Sequence, residues 1–145
     1  MTIIGIDPGK GGGIAWITDG KPCVENMPDT LEDLWEIFDE ISGNVQFGGG
    51  PCKAYIESVH SSPQMGVTSA FTFGQGFGHL EMALTAAGIP FERISPQKWQ
   101  KAMGCMSKGD KNVTKRRAQE LFPSMKATHA TADALLIAEY GGRQA

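Results

Sequence analysis

The chain has 145 residues, 41% of them hydrophobic and 20% charged, and a formal net charge of −3. That is enough apolar material to bury one core, so a single domain over residues 1–145 is expected. No apolar run approaches the roughly 20 residues that span a bilayer, the first residues lack the basic start and cleavage site of a signal peptide, and Cys23, Cys52 and Cys105 are odd in number without C-x-x-C spacing. A membrane protein, a disulfide framework and a zinc site are therefore disfavoured, and the expectation is a soluble, cytoplasmic protein with reduced thiols.

Thr2 to Ile6 alternates as a buried strand, Gly11 to Gly13 makes a turn, and Ile14 to Thr18 is a second strand. Asp19-Gly20 is a hairpin signal, and Pro22 to Met27 completes an antiparallel meander. Asp29 or Thr30 can cap a helix in which Leu31, Leu34, Trp35, Phe38 and Ile41 recur at helical spacing, with acids on the other side and Gly43 as its stop. "NVQFGGGP" reads as a loop and "CKAYIESV" as a fourth strand, ending near Glu57 and lying beside the first. A long helix is expected from about Val67 to Ala87, stopped by Gly88, followed by the short strand "IPFERI". "SPQKWQKAMG" supplies a helical turn or two and "GCMSKGD" a connection. A basic helix from about Asp110 to Leu121 follows, and "ATADALLIAEY" is apolar enough to pack on the sheet. Three strands, then helix, strand, helix, strand and helices, is the order of an α/β ribonuclease H-like fold: a mixed five-stranded sheet with helices on both faces.

Chemistry enters with acids in apolar settings. Asp7 ends the first strand and is followed at once by Pro8 and Gly9, an arrangement that either aims a carboxylate from a rigid strand end or caps a tight turn. Glu57 lies in "AYIESV" and Asp133 in "ATADALLIA", where an unpaired buried carboxylate is costly. Together Asp7, Glu57 and Asp133 could converge into an oxygen site suited to magnesium or manganese, or each could be capped or paired separately. "GKGGG" lacks the closing Lys-Ser/Thr of a P-loop and "GQGFG" is not G-x-G-x-x-G, so no nucleotide cofactor is expected.

Charge is unevenly spread. Acids dominate up to Glu57, whereas from Arg93 to Lys126 the bases Lys98, Lys101, Lys108, Lys111, Lys115, Arg116 and Arg117 outnumber the acids. That polarity suits a polyanion on one face, and equally a solvated basic helix.

"IIGIDPGKGGGIAWI", "AYIESVHSSPQMG", "FTFGQGFGHLEMALTAAGIPFERISPQKWQKAMG" and "THATADALLIAEY" together resemble RuvC-type Holliday-junction resolvases, particularly the short forms encoded by bacteriophages. The resemblance spans nearly the whole chain. It implies a homodimer that binds four-way DNA junctions and makes paired nicks on strands of like polarity, using two divalent ions, Mg2+ or Mn2+, in each active site. Asp7, Glu57 and Asp133 match the family's acids by motif and order, and all would be catalytic metal ligands. The family's fourth ligand is an Asp or His three or four residues before the last Asp. Here the candidate is His129, since Ala130 occupies the three-residue spacing. The same resemblance places His60 where a side chain wedges or stacks at the junction centre, while Ser61, Ser62 and Gln64 can donate to phosphates.

Phe71, Phe73 and Phe77 are expected in the core or at the dimer contact. Gly74, Gly76 and Gly78 in the same helix cost roughly 1 kcal/mol each relative to alanine, which points to a closely approaching partner helix. A nuclease acting on flaps or forks, or a non-catalytic DNA-binding module of the same fold, is the alternative, because fold and metal site do not determine substrate shape.

Overall fold

The computed structural model describes residues 1–46, 50–58 and 62–145. Its strands are β1 (Thr2–Asp7), β2 (Gly13–Thr18), β3 (Lys21–Asn26), β4 (Cys52–Glu57) and β5 (Phe91–Ile94), and its helices are α1 (Leu31–Gln46), α2 (Val67–Ala86), α3 (Pro96–Ala102), α4 (Lys111–Leu121) and α5 (His129–Gln144). They form a five-stranded sheet in the order β3-β2-β1-β4-β5. β1 pairs antiparallel with β2 and parallel with β4, and β4 pairs parallel with β5, so the sheet is mixed and β1 is central.

The period-two alternation of the strands divides the apolar side chains between two layers. Ile4, Ile6, Ile14, Ala54 and Ile56 pack with Leu34, Phe38 and Ile41 of α1 and with Leu80 and Leu84 of α2. Ile3, Ala15, Tyr55 and Ile94 pack on the opposite face with Trp99 of α3, Ala118 of α4 and Leu135, Ile137 and Tyr140 of α5. Helices cover both faces, as the element order predicts.

Two glycines set how closely α5 approaches. A Cβ on Gly5 would overlap the Ala134 carbonyl oxygen, and one on Gly141 would overlap the Tyr55 ring. The backbone of α5 therefore rests directly on β1 and β4. The helix starts from a capping box in which the Thr128 hydroxyl accepts from the Thr131 amide at 3.3 Å.

The first helix departs from expectation. Gly43 does not stop α1, which continues to Gln46, and Gly43 is absent from the residues with positive φ. The loop expected over 44–51 thus begins after the helix, and its residues 47–49 lie outside the described residues. Leu31 and Trp35 share the helical spacing of the core residues but are 56% and 39% exposed, because the face that meets the sheet is narrower than the apolar stripe. Gly88, with φ of +71°, follows α2 as expected.

Candidate functional site

In the parallel β1–β4 ladder Ile6 stands opposite Ile56, so the residues after them, Asp7 and Glu57, leave neighbouring strands at the same end of the sheet. Counting by twos from Ile3 and Tyr55 puts both acids on the face covered by α5. Asp133 comes to the same place from the helix. It immediately precedes Ala134, whose carbonyl abuts Gly5, two residues before Asp7.

The electrostatics show that these acids share one field. Burial pushes the Asp7 carboxyl up to about 8, with further upward contributions from Asp133 and then Glu57, opposed by Lys111. Burial also raises Glu57, with the Trp99 hydrogen bond pulling down, Asp133 pushing up and Lys111 pulling down. Asp133 is raised by burial against the lowering effects of Thr114, Lys111 and His129. Among the described residues no three His, Cys, Asp or Glu side chains stand close enough to form a ready-made ligand cluster, so the acids are related by their fields rather than by touching oxygens. Half-buried carboxylates, with Asp7 raised further by Asp133 and Glu57 and Glu57 raised further by Asp133, need protons or a cation, and an all-oxygen set suits a hard divalent ion such as magnesium or manganese.

His129 occupies the first position of α5, one helical turn before Asp133, and is exposed; its Nε2 lies 3.2 Å from Asn112 Oδ1. Ala130, at the three-residue spacing, carries only a methyl group and has no side-chain atom to offer a metal; its carbonyl oxygen lies against Gly13 of β2, where a Cβ would overlap it.

Two residues take parts that the sequence pattern does not assign. Trp99 Nε1–H donates to Glu57 Oε2 at 2.7 Å. Lys111, which the charge pattern groups with a DNA grip, acts on all three acids as a countercharge. It also lines, with Gln97, Gln100, Lys108, Thr114 and Asp133, a cleft of about 320 Å³ between α3, α4 and α5. The only sequence signal for Trp99 is an indole in a short helix directly after the fifth strand.

The remaining basic residues divide into two groups. Lys98, Lys101, Lys108, Lys115 and Arg116 are exposed on α3, α4 and the turn between them. Arg117 is turned back: its Nε donates to the Met103 carbonyl at 2.9 Å and its Nη1 pairs with Glu120 at 3.3 Å. Ser62 and Gln64 are exposed on the turn leading into α2, whereas His60 and Ser61 lie outside the described residues.

On α2, Phe77 packs partly against the core and under the Arg93 guanidinium, and Phe73 lies against Gly9. Phe71 is 67% exposed. The helix is continuous through Gly74, Gly76 and Gly78, and a Cβ at any of them would meet nothing within 4 Å among the described residues.

No protein-family model and no curated protein matches the chain. Among solved structures, RuvC of Thermus thermophilus aligns with a TM-score of 0.63 at 20% identity, over 99% of this chain and 96% of that one. T. thermophilus RuvC in complex with a Holliday junction substrate aligns with a TM-score of 0.65 at 18% identity, again over 99% and 96% of the two chains. At these identities the likeness is one of fold, and the mixed five-stranded sheet with its helices is the ribonuclease H-like fold seen in RuvC.

Proposed function

We propose that the chain is a metal-dependent, structure-selective DNA endonuclease that resolves four-way junctions by paired nicks, working as a homodimer with two Mg2+ or Mn2+ ions at each site. The observation that carries this reading is that Asp7, Glu57 and Asp133, all half-buried, are directed to one end of β1 and β4, where burial raises each carboxyl, Asp133 and Glu57 raise Asp7 further and Asp133 raises Glu57 further. Such an arrangement has no structural benefit without a cation. The fold's likeness to a protein solved with a Holliday junction substrate supports the choice of substrate.

Bound divalent ions would supply Lewis acidity, lowering the pKa of an attacking water and stabilising charge on the leaving oxygen. The chain's own residues do the rest. Asp7, Glu57 and Asp133 hold the ions, with His129 as the added ligand at the start of α5. Lys111 balances the acids and presents a cation to an incoming phosphate. Lys98, Lys101, Lys108, Lys115 and Arg116 face solvent, where they can hold the arms of the junction through phosphates, joined by Ser62 and Gln64 from the turn before α2. Gly74 and Gly78 of α2, one helical turn apart and with nothing within 4 Å of a Cβ there among the described residues, mark the surface assigned to the second copy.

Incubation with Mg2+ or Mn2+ and a synthetic four-way junction, beside linear duplex, flap and fork controls, tests the reading. Symmetric nicks in opposed strands of the junction are expected. Preference for flaps or forks would move the substrate to other branched DNA, and preference for linear duplex would end the junction reading.

A further inference from the structure

We propose that Trp99 is a positioning residue for the metal centre: its indole N–H holds one oxygen of Glu57 and so presets that carboxylate for a divalent cation. The inference rests on reading the acids as a metal centre, and goes beyond it by giving a non-ligating residue a part in the cation's binding.

The geometry follows from how β5 passes into α3. Ile94 stands opposite Glu57 in the parallel β4–β5 ladder, and the Ser58 amide donates to the Ile94 carbonyl at 2.7 Å, closing the ladder just beyond the acid. The next residue, Ser95, leaves the strand and caps α3, its Oγ accepting from the Lys98 amide at 3.3 Å, with Pro96 as the first helical residue. This tight turn brings Trp99 back over the end of β4. The side chain is wholly buried, at 0% exposure, in the cluster that contains Met103, Cys105 and Ala132. Its Nε1–H then meets Glu57 Oε2 at 2.7 Å, across 42 residues of sequence.

A buried indole N–H needs an acceptor, and a backbone carbonyl would serve packing alone. The acceptor here is instead a carboxylate of the metal-binding set. A glutamate at a strand end has several rotatable bonds to order when it binds a cation, and a short charge-assisted bond from a rigid, buried ring orders them in advance. Hydrogen bonds that orient metal ligands in this manner change metal affinity or activity by about 10 to 100-fold when removed.

Trp99→Phe removes the donor and keeps an aromatic ring. Its Mn2+ affinity, measured by calorimetry on the full chain without DNA, is expected to weaken about tenfold or more. The metal concentration needed for junction cutting should rise in parallel, with maximal cutting at saturating metal less affected. In the native protein the Trp99 indole N–H resonance should move during a Mg2+ titration, with the midpoint found by calorimetry with Mg2+. Trp16, which packs on the opposite face, and Trp35, which is exposed, should not move. That titration decides the matter even if Trp99→Phe fails to fold. A stationary Trp99 resonance, with unchanged affinity in any folded variant, overturns the proposal while leaving the metal centre intact. Failure of the native protein to bind either ion overturns the metal-centre reading and this proposal with it.

Discussion

Gly5 of β1 faces the Ala134 carbonyl of α5 with no room for a methyl group between them. This packing seats the C-terminal helix on the central strand and so brings Asp133 to Asp7. Gly5→Ala must push α5 away or distort β1, and overpacking of this type costs about 1–3 kcal/mol or more. Scanning calorimetry should show a melting temperature lower by about 5–10 °C, together with weakened Mn2+ binding in the protein that still folds. Gly43→Ala is the control: it lies in α1, a Cβ there meets nothing within 4 Å among the described residues, and it should stabilise the helix by about 0.5–1 kcal/mol. Equal melting of Gly5→Ala and native protein would remove this close approach as the element that seats the site.

What can be read from sequence follows what local chemistry determines. The meander, the strand ending at Glu57 and the apolar helix around Asp133 are legible because alternation and helical spacing report which face is buried. Gly43 misleads because a glycine ends a helix only where the backbone turns to positive φ, as it does at Gly88 and Gly104, and nothing near Gly43 in the sequence announces which it will be. Trp99 is invisible as a partner of Glu57 because spacing cannot show a bond spanning 42 residues. Lys111 and Arg117 look alike in a run of bases. Helical geometry turns Lys111 toward the acids and Arg117 toward the Met103 carbonyl.

The Asp7 carboxyl, pushed up to about 8 from 3.8, makes the metal-free protein's stability depend on pH. Between those values the folded state binds more protons than the unfolded state. The stabilisation is therefore fully present below the unfolded pKa and is lost as pH rises through the folded one. Glu57 and Asp133 shift in the same direction. Metal-free native protein should melt at a lower temperature near pH 8.5 than near pH 5, and Asp7→Asn should flatten that slope and melt above native protein at the alkaline end. Saturating Mg2+ should restore the native protein, by about 2.7 kcal/mol at a hundredfold excess over its dissociation constant, and leave Asp7→Asn unmoved. Asp7→Asn should also fail to cut while still binding junctions. A pH slope shared by both proteins would show that Asp7 is not the group responsible.

The exposed basic residues should act through phosphates. Neutralising Lys111, Lys115 and Arg116 together should reduce the slope of log affinity against log salt by about 0.9 for each phosphate left without its cation, so by about 2–3. Fluorescence anisotropy with a labelled junction over a range of salt concentrations measures it. Arg117→Ala should behave differently, lowering thermal stability through loss of its bond to the Met103 carbonyl with little effect on the salt slope. If the triple variant keeps the native slope, α4 is a solvated face and the junction is held elsewhere.

His129 stands one helical turn before Asp133 with its Nε2 beside Asn112 Oδ1. When Nε2–H donates to that oxygen, Nδ1 carries the lone pair that a metal requires, and Asn112 keeps the ring in that tautomer. His129→Ala should then lose most cutting in single-turnover reactions at saturating protein, where weakened DNA binding is bypassed. His129→Asp should recover part of the rate, because a carboxylate restores an oxygen ligand although its reach is shorter. Asn112→Ala should fall about tenfold, between native protein and His129→Ala, since the ring remains but loses its partner. Cutting by His129→Ala at the native rate would leave His129 as the opening residue of α5 and reduce the ligand set to Asp7, Glu57 and Asp133.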